Sequence, residues 1–272
     1  MARLGANRWG KSEVRLSKIH RGDSHDDFSD ITVRVLLEGD VGEAYVDGDN
    51  SSVLPTDTMK NTVYGLAQDH LTDDLEAFAG ALCTHFLRGD QVSKASVSIS
   101  ERRWSRHSAT GFVGGGSERR LAEVVGGAGA SVSAGIEGLV VLKTRGSAFA
   151  GFPKDMFTTL PETEERLLAT SVTAIWTYSD LPDDTTATWL RVRETIVERF
   201  FADWSASVQH QGYLMAEAVL DAVGEISEIS FRLPNQHHLT VDFTRFGLSD
   251  HGTVFHPVSE PYGDIAFTVH RE

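Results

Sequence analysis

Alternating apolar and polar residues mark the first two strands of the chain. Val14 and Leu16 alternate with polar residues in a run that continues through Ile19, and residues 31–37 (ITVRVLL) are rich in β-branched residues. This pattern predicts two strands, each with a buried face. The polar, acidic stretch 20–30 predicts a turn between them, so the pair is expected to form a hairpin. The connection from 39 to 50 is compatible with a further small hairpin.

A period typical of helices begins after Pro55. Met59, Val63 and Leu66 share one face and predict a helix over residues 57–69. Thr56 or Asp57 is expected to accept hydrogen bonds from the free N–H groups of its first turn. Such a helix start also suits an anionic ligand, although plain capping is the commoner role.

The second helix and the following strands complete one set of elements. Thr72 is expected to be the N-cap of a helix that ends near Gly89. Strands are predicted at 92–99 and 119–125, with a loop over 111–116 between them.

From residue 138 the same order of elements begins again. The predicted elements are strands at 139–142 and 171–176, a long loop over 147–160, helices around 189–200 and 207–223, and strands at 226–233 and 238–243. Each half therefore has two strands, two helices and two strands, which predicts an α+β fold with a structural duplication into domains 1–136 and 137–272. Two unrelated α+β units, or one domain divided wrongly, are the alternatives. Exposed sheet edges in each half favour oligomerisation.

Charge and composition exclude several classes of protein. The 272-residue chain carries 25 basic and 39 acidic residues, a net charge of −14, which argues against a nucleic-acid partner. No apolar run reaches the length of a membrane span, and the N-terminal residues lack the apolar core of a signal peptide. The single cysteine, Cys83, excludes an internal disulfide and a cysteine-based metal cluster, and it lies in an apolar helix as a buried thiol.

Five segments, in this order and spacing, carry a more specific signal: Trp9-Gly10-Lys11, residues 56–62 (TDTMKNT), residues 151–163, Ser207-Val208-Gln209 and residues 233–238 (LPNQHH). Over nearly its full length, the chain resembles the urate oxidase (uricase) family. The resemblance implies tandem tunnelling-fold (T-fold) domains, each an antiparallel four-stranded sheet with two helices on one face. It also implies a homotetramer with active sites at subunit interfaces.

The activity implied by the resemblance is oxidation of urate by O2 and water to 5-hydroxyisourate and hydrogen peroxide, with no metal and no organic cofactor. Lys11 and Thr56 match the proton-relay pair, because a desolvated lysine can act as a base and a hydroxyl can pass a proton. Asn235 and His237 match the pair that holds O2 or water. The alternatives are a solvated Lys11 and, for His237-His238, a strand with one exposed and one packed histidine.

The resemblance also implies the residues that bind the substrate. Arg166 and Gln209 match the pair that clamps the flat heterocycle, and Phe149 matches the aromatic ring that stacks on it. Val208 and Asp57 would contribute backbone N–H groups.

Each of these residues has an ordinary structural alternative. Arg166 could form an ion pair with Glu162 or Glu165, and Phe149 could fill the core. Ala150 stands where the family often carries a second aromatic residue, and Trp9 stands where tyrosine is common.

Two competing functions stay open at the level of sequence. A metal-dependent pterin or purine enzyme of the same fold would need a zinc cluster, but of the 11 histidines only His237 and His238 lie close together near a motif. A non-catalytic purine-binding protein would keep the clamp but not the relay. Because residues 270–272 are not a Ser-Lys-Leu peroxisomal signal, a cytoplasmic location is expected.

Overall fold

The computed structural model describes residues 2–202, 204–249 and 251–272. The chain divides into two compact units: unit 1 comprises Met1–Ile136 with Ile175–Trp189, and unit 2 comprises Glu137–Ala174 with Leu190–Glu272. Strands β5 (Ser131–Lys143) and β6 (Leu168–Tyr178) and helix α4 (Thr185–Ala202) each contribute residues to both units. None of the helices in the described ranges combines the length and the apolar character that a membrane crossing requires.

Unit 1 contains an antiparallel sheet with the strand order β1-β2-β3-β4. Its elements are β1 (Trp9–Arg21), β2 (Asp26–Gly39), α1 (Gly42–Val46), α2 (Thr56–His70), α3 (Leu75–Phe86), β3 (Val92–Arg106) and β4 (Phe112–Gly127). Along β2, alternate residues from Ile31 to Leu37 are fully buried. They join one core with the apolar faces of α2 and α3, as the helical and strand periods predict.

Unit 2 repeats this arrangement with the strand order β5-β6-β7-β10. Its elements are β5 (Ser131–Lys143), β6 (Leu168–Tyr178), α4 (Thr185–Ala202), α5 (Val208–Ala222), β7 (Ile226–Pro234), a separate pair of β8 (His237–Thr240) and β9 (Phe255–Val258), a 3₁₀ turn (Phe243–Phe246), and β10 (Asp264–His270). The predicted α+β class is confirmed.

Several local predictions are wrong. The strand predicted at 238–243 is the short β8, which pairs with β9, while β10 fills the fourth place in the sheet by pairing antiparallel with β7. The hairpin considered between 39 and 50 is helix α1, and β4 begins inside the predicted loop 111–116.

The cap of α3 also differs from the prediction. Asp74, not Thr72, is the N-cap and accepts a hydrogen bond from the N–H of Ala77 at 2.8 Å. The Thr72 hydroxyl instead accepts from the N–H of Asp74 at 3.2 Å. Two short polar side chains therefore shape this turn, and the carboxylate occupies the helix end.

Cys83 is buried on α3, as expected for a structural thiol. Its Sγ lies 3.2 Å from the carbonyl oxygen of Val124 on β4. Burial raises the pKa of the thiol to about 11, so the residue stays a neutral, unreactive part of the core.

Candidate active site

Lys11 lies on β1 next to an irregularity of the strand. It pairs with Val35 on β2, and the register shifts between Lys11 and Val14. At this shift Glu13 adopts a positive φ of 57°, which is rare for a residue with a side chain and marks local strain. Just before it, a Cβ on Gly10 would lie 2.0 Å from the carbonyl oxygen of Val35, so only glycine fits there.

Trp9 connects the beginning of β1 to the segment before α2. Its indole Nε1–H donates to the carbonyl oxygen of Leu54 at 3.1 Å. The half-buried Lys11 follows two residues later. Lys60 is the main cause of the lowered pKa of Asp57 at the start of α2, and the charge of Lys11 makes a smaller contribution. The structure thus brings Lys11 near the beginning of α2 within unit 1.

Helix α2 starts without a side-chain cap. Pro55 is its N-cap residue, and within the described ranges no side chain bonds to its first-turn N–H groups. The expectation that Thr56 or Asp57 caps the helix is therefore wrong. Thr56 is the first helical residue and is exposed. The backbone N–H groups of the first turn remain available to a ligand.

The Asp57 carboxylate bonds to its own helix one turn further on. Its Oδ1 accepts from the Nζ of Lys60 at 2.5 Å, and its Oδ2 accepts from the Nδ2 of Asn61 at 3.1 Å. Lys60 is the main cause of the lowered pKa of Asp57. Sequence reasoning missed both partners, although their i+3 and i+4 spacing from Asp57 was visible.

In unit 2, Phe149 and Arg166 lie side by side. The backbone of Phe149 exchanges two hydrogen bonds with Thr163, at 2.7 and 3.0 Å, and the N–H of Arg166 donates to the carbonyl oxygen of Ser147 at 2.7 Å. The Cζ of Arg166 lies 5.4 Å from the centroid of the Phe149 ring. Phe149 also stacks on Phe152, with centroids 4.9 Å apart, a contact that sequence reasoning did not foresee.

Arg166 does not form the ion pairs considered as its ordinary role. Glu162 pairs with Lys154 at 2.7 Å, and Glu165 accepts from the N–H of Gly146 at 2.5 Å. The Nε of Arg166 is buried and has no hydrogen-bond partner among the described residues. Burial lowers the pKa of this guanidinium from its usual range. A partly desolvated cation with an unused donor is an arrangement that favours binding of an anion.

Val208 and Gln209 form the first turn of α5. Ser207 is the N-cap and accepts from the N–H of His210 at 3.1 Å. Val208 is buried, while Gln209 is exposed. The predicted helix start is confirmed. The Ser207 side chain accepts from the N–H of His210, so it does not use the backbone N–H groups of Val208 and Gln209.

Asn235 and His237 lie together at the end of β7. The N–H of Asn235 donates to the carbonyl oxygen of Gly263 at 2.9 Å, and its Nδ2 lies 3.4 Å from the Nδ1 of His237. His238 instead contacts the carbonyl oxygen of Gln236 through Nδ1 at 3.1 Å. Both histidines border an open pocket that Tyr262 also lines. Of the two, His237 has the side-chain amide as its neighbour.

The residues singled out from the sequence thus form small groups within each unit. Unit 1 holds Lys11 with Thr56 and Asp57 at the start of α2. Unit 2 holds the pairs Phe149–Arg166 and Asn235–His237. Across the described ranges, no three His, Cys, Asp or Glu side chains are placed to share a metal ion.

Comparison with known proteins identifies the family. The family model described as Uricase matches residues 7–127 and 132–266. A uricase of Arthrobacter globiformis is 40% identical over 274 residues, covering 99% of this chain and 90% of the relative. The chain belongs to the uricase family. A uricase of Aspergillus flavus is 36% identical over 295 residues, covering 100% of this chain and 98% of the relative.

A solved structure agrees with this membership. The crystal structure of the Arthrobacter globiformis uricase matches with a TM-score of 0.95 and 40% identity, covering 100% of this chain and 96% of that one. The fold is therefore the tandem T-fold of the family, as the resemblance implied. Membership of the uricase family also makes the chain an enzyme of the oxidoreductase class.

Proposed function

We propose that the chain oxidises urate with O2 and water to 5-hydroxyisourate and hydrogen peroxide, without a metal or organic cofactor. The reaction balances: urate loses two electrons and two protons to O2, which becomes hydrogen peroxide, and one water adds to the oxidised purine. Membership of the uricase family supports the substrate. The observation that carries the proposal is the buried, unpartnered Nε of Arg166 beside the Phe149 ring.

Arg166 supplies the local positive charge that an anionic purine needs. The net charge of −14 repels anions from the chain as a whole, so a binding site must provide its own cation. The planar guanidinium can donate to two adjacent acceptors of urate while the ring of Phe149 covers the flat heterocycle. Gln209 has both a donor and an acceptor for the amide-like edge, and Val208 adds a backbone N–H.

Lys11 and Thr56 are assigned to the removal of a proton from urate. Urate transfers electrons to O2 more readily once it has lost a further proton, so a base is required. We assign this role to the Lys11 amine, with the Thr56 hydroxyl as the relay between amine and purine. The uncapped start of α2 would stabilise the resulting negative charge through its free N–H groups, including that of Asp57.

Asn235 and His237 are assigned to O2 and water. The amide and the imidazole lie 3.4 Å apart, so one small molecule can contact both. The imidazole can deliver a proton as peroxide forms and accept one as water adds, because each of its ring nitrogens can donate or accept a proton.

The assembly follows from the same proposal. The relay residues belong to unit 1 and the clamp residues to unit 2. We propose a homotetramer in which the first domain (1–136) of one subunit completes the site with the second domain (137–272) of its neighbour. A cytoplasmic location is part of the proposal. A concentration series tests the assembly: activity per chain should fall as the oligomer dissociates, and a fully active monomer would contradict a shared site.

Urate turnover is the test of the substrate, and Arg166→Ala is the test of the clamp. The purified protein should consume urate under air and release peroxide. Arg166→Ala should raise KM by about 10- to 100-fold, because charge-assisted hydrogen bonds to the anion are lost. Lys154→Ala, which removes an exposed cation of the same loop, is the matched control and should leave KM near the wild-type value. Equal KM values for the two variants would remove Arg166 from the clamp.

A further inference from the structure

At the start of α2, a carboxylate lies at a helix end that is otherwise suited to anions. Asp57 is the second residue of the helix, and its side chain is 67% exposed. A free aspartate here would do one of two things. It would bond to the first-turn N–H groups as a substitute cap, or it would place a full negative charge beside them. Either outcome would oppose binding of an anionic substrate.

The structure shows neither outcome, because both carboxylate oxygens are engaged elsewhere. The Nζ of Lys60 donates to Oδ1 at 2.5 Å, and the Nδ2 of Asn61 donates to Oδ2 at 3.1 Å; both residues lie one turn along the helix. The Asp57 side chain therefore leaves the first-turn N–H groups open. Its charge is balanced by the ammonium of Lys60, which is also the first cause of its lowered pKa.

We infer that Lys60 is a positioning residue for substrate binding: it holds the Asp57 carboxylate back from the start of α2 and neutralises it, so that the helix end stays open to an anion. This inference rests on the proposed function, since it assumes that urate binds as an anion at this helix start. Lys60 does not contact the substrate in this account. It acts through Asp57, and Asn61 restricts the same carboxylate from the other side.

The exposure of the Lys60–Asp57 ion pair indicates that it contributes little to the stability of the fold. The Asp57 side chain is two-thirds exposed and that of Lys60 one-third, and a solvent-accessible i,i+3 pair adds little to folding. The same chain offers a matched comparison in the pair Lys94–Glu38, at 3.5 Å. The side chain of Lys94 is 32% exposed, against 34% for Lys60. Loss of either lysine changes the net charge by the same amount, but only Lys60 lies beside the proposed site.

Steady-state kinetics with urate tests the inference on the full enzyme. Lys60→Met should raise KM by about 5- to 10-fold with kcat changed by less than about 2-fold, because an uncompensated carboxylate then competes with the anion. Lys94→Met should leave KM within about 2-fold of wild type, because it removes a lysine of similar exposure whose partner, Glu38, is not part of the proposed site. Lys60→Arg, which keeps a cation within reach of Asp57, should restore most of the affinity.

A double-mutant cycle separates this role from a general effect of the substitution. If Lys60 acts through the Asp57 carboxylate, Lys60→Met should have no further effect on KM in an Asp57→Asn background. A KM for Lys60→Met equal to that of Lys94→Met would overturn the inference. So would an equal rise in KM with and without the Asp57 carboxylate. Absence of urate turnover in the wild-type enzyme would instead refute the proposed function, and the two failures are thus distinguishable.

Discussion

The starts of α2 and α3, both in unit 1, show two ways to treat the free N–H groups of a helix. At α3, Asp74 caps the helix, and Glu76 in the first turn is fully buried against Arg120. At α2, a proline precedes the helix, and the only first-turn carboxylate is engaged by Lys60 and Asn61. At the start of α3, the protein's own side chains occupy the helix end. At the start of α2, the backbone N–H groups are left without a side-chain partner in the described part of the chain, which is the condition for binding a ligand there.

The burial of the two starts agrees with this division. The Nη2 of Arg120 donates to Glu76 Oε2 at 2.8 Å, and its Nη1 donates to the carbonyl oxygen of Asp73 at 2.9 Å. Thr185 and Thr186 at the beginning of α4 join this network, and the Thr185 hydroxyl donates to Asp74 at 3.0 Å. Charges withdrawn from water in this way fix the packing of α3, whereas those at α2 remain in solvent. We therefore expect substitutions at α3 to change stability and substitutions at α2 to change catalysis.

The largest effect is expected for Lys11, the proposed base near the open helix start. Lys11→Met should lower kcat by about 10²- to 10⁴-fold, the usual contribution of a positioned general base. Peroxide release from urate measures the rate, and binding of an unreactive urate analogue should persist. A rate equal to that of Lys94→Met would show that Lys11 is an ordinary surface lysine.

At the closed helix start, Arg120→Met should lower the free energy of unfolding by about 3–5 kcal/mol, because it leaves the buried carboxylate of Glu76 without its partner. Urea unfolding followed by circular dichroism measures the change. The double variant Arg120→Met/Glu76→Leu, which removes both charges, should recover part of the loss. A change below about 1 kcal/mol for the single variant would contradict a buried ion pair.

Thr56→Val tests whether the first residue of α2 serves catalysis alone. The substitution removes the hydroxyl of the relay, so kcat should fall by about 10- to 100-fold. The free energy of unfolding should change by less than about 0.5 kcal/mol, because Thr56 provides no cap. A lower free energy of unfolding with an unchanged kcat would show that Thr56 serves stability and not catalysis.

Asp74→Ala is the counterpart at α3 and has the smallest expected effect. Loss of its hydrogen bond to Ala77 should lower the free energy of unfolding by about 1 kcal/mol. The kcat and KM for urate should stay near the wild-type values. A fall in kcat comparable to that of Thr56→Val would remove the functional difference between the two helix starts.

Local periodicity predicted much of the fold but not how the helix ends are satisfied. The apolar spacing of Met59 and Val63 placed α2 within one residue of its observed bounds at each end. The predicted cap was wrong because Pro55 takes the N-cap position and Lys60 competes for the Asp57 carboxylate. Strand β10 was missed although Ile265, Phe267 and Val269 alternate along it, because the segment before it contains several glycine and proline residues.

Contacts between residues far apart in the sequence could not be predicted from the spacing of apolar and polar residues. Glu76 and Arg120 are 44 residues apart, and their pairing depends on β4 packing against α3. For the proposed site, the resemblance to the uricase family supplied the residues. The structure adds that Arg166 has an unused donor, which depends on where Glu162 and Glu165 find other partners.

The most direct test of the account is the stoichiometry of urate consumption by metal-stripped protein under air. Loss of urate absorbance and release of peroxide are recorded in the same sample, with Lys11→Met as the comparison. The account predicts equimolar peroxide and consumed urate from the stripped wild-type enzyme, and a rate lower by at least about 10²-fold for the variant. Urate that remains intact, or turnover that returns only when a metal is added, would contradict it.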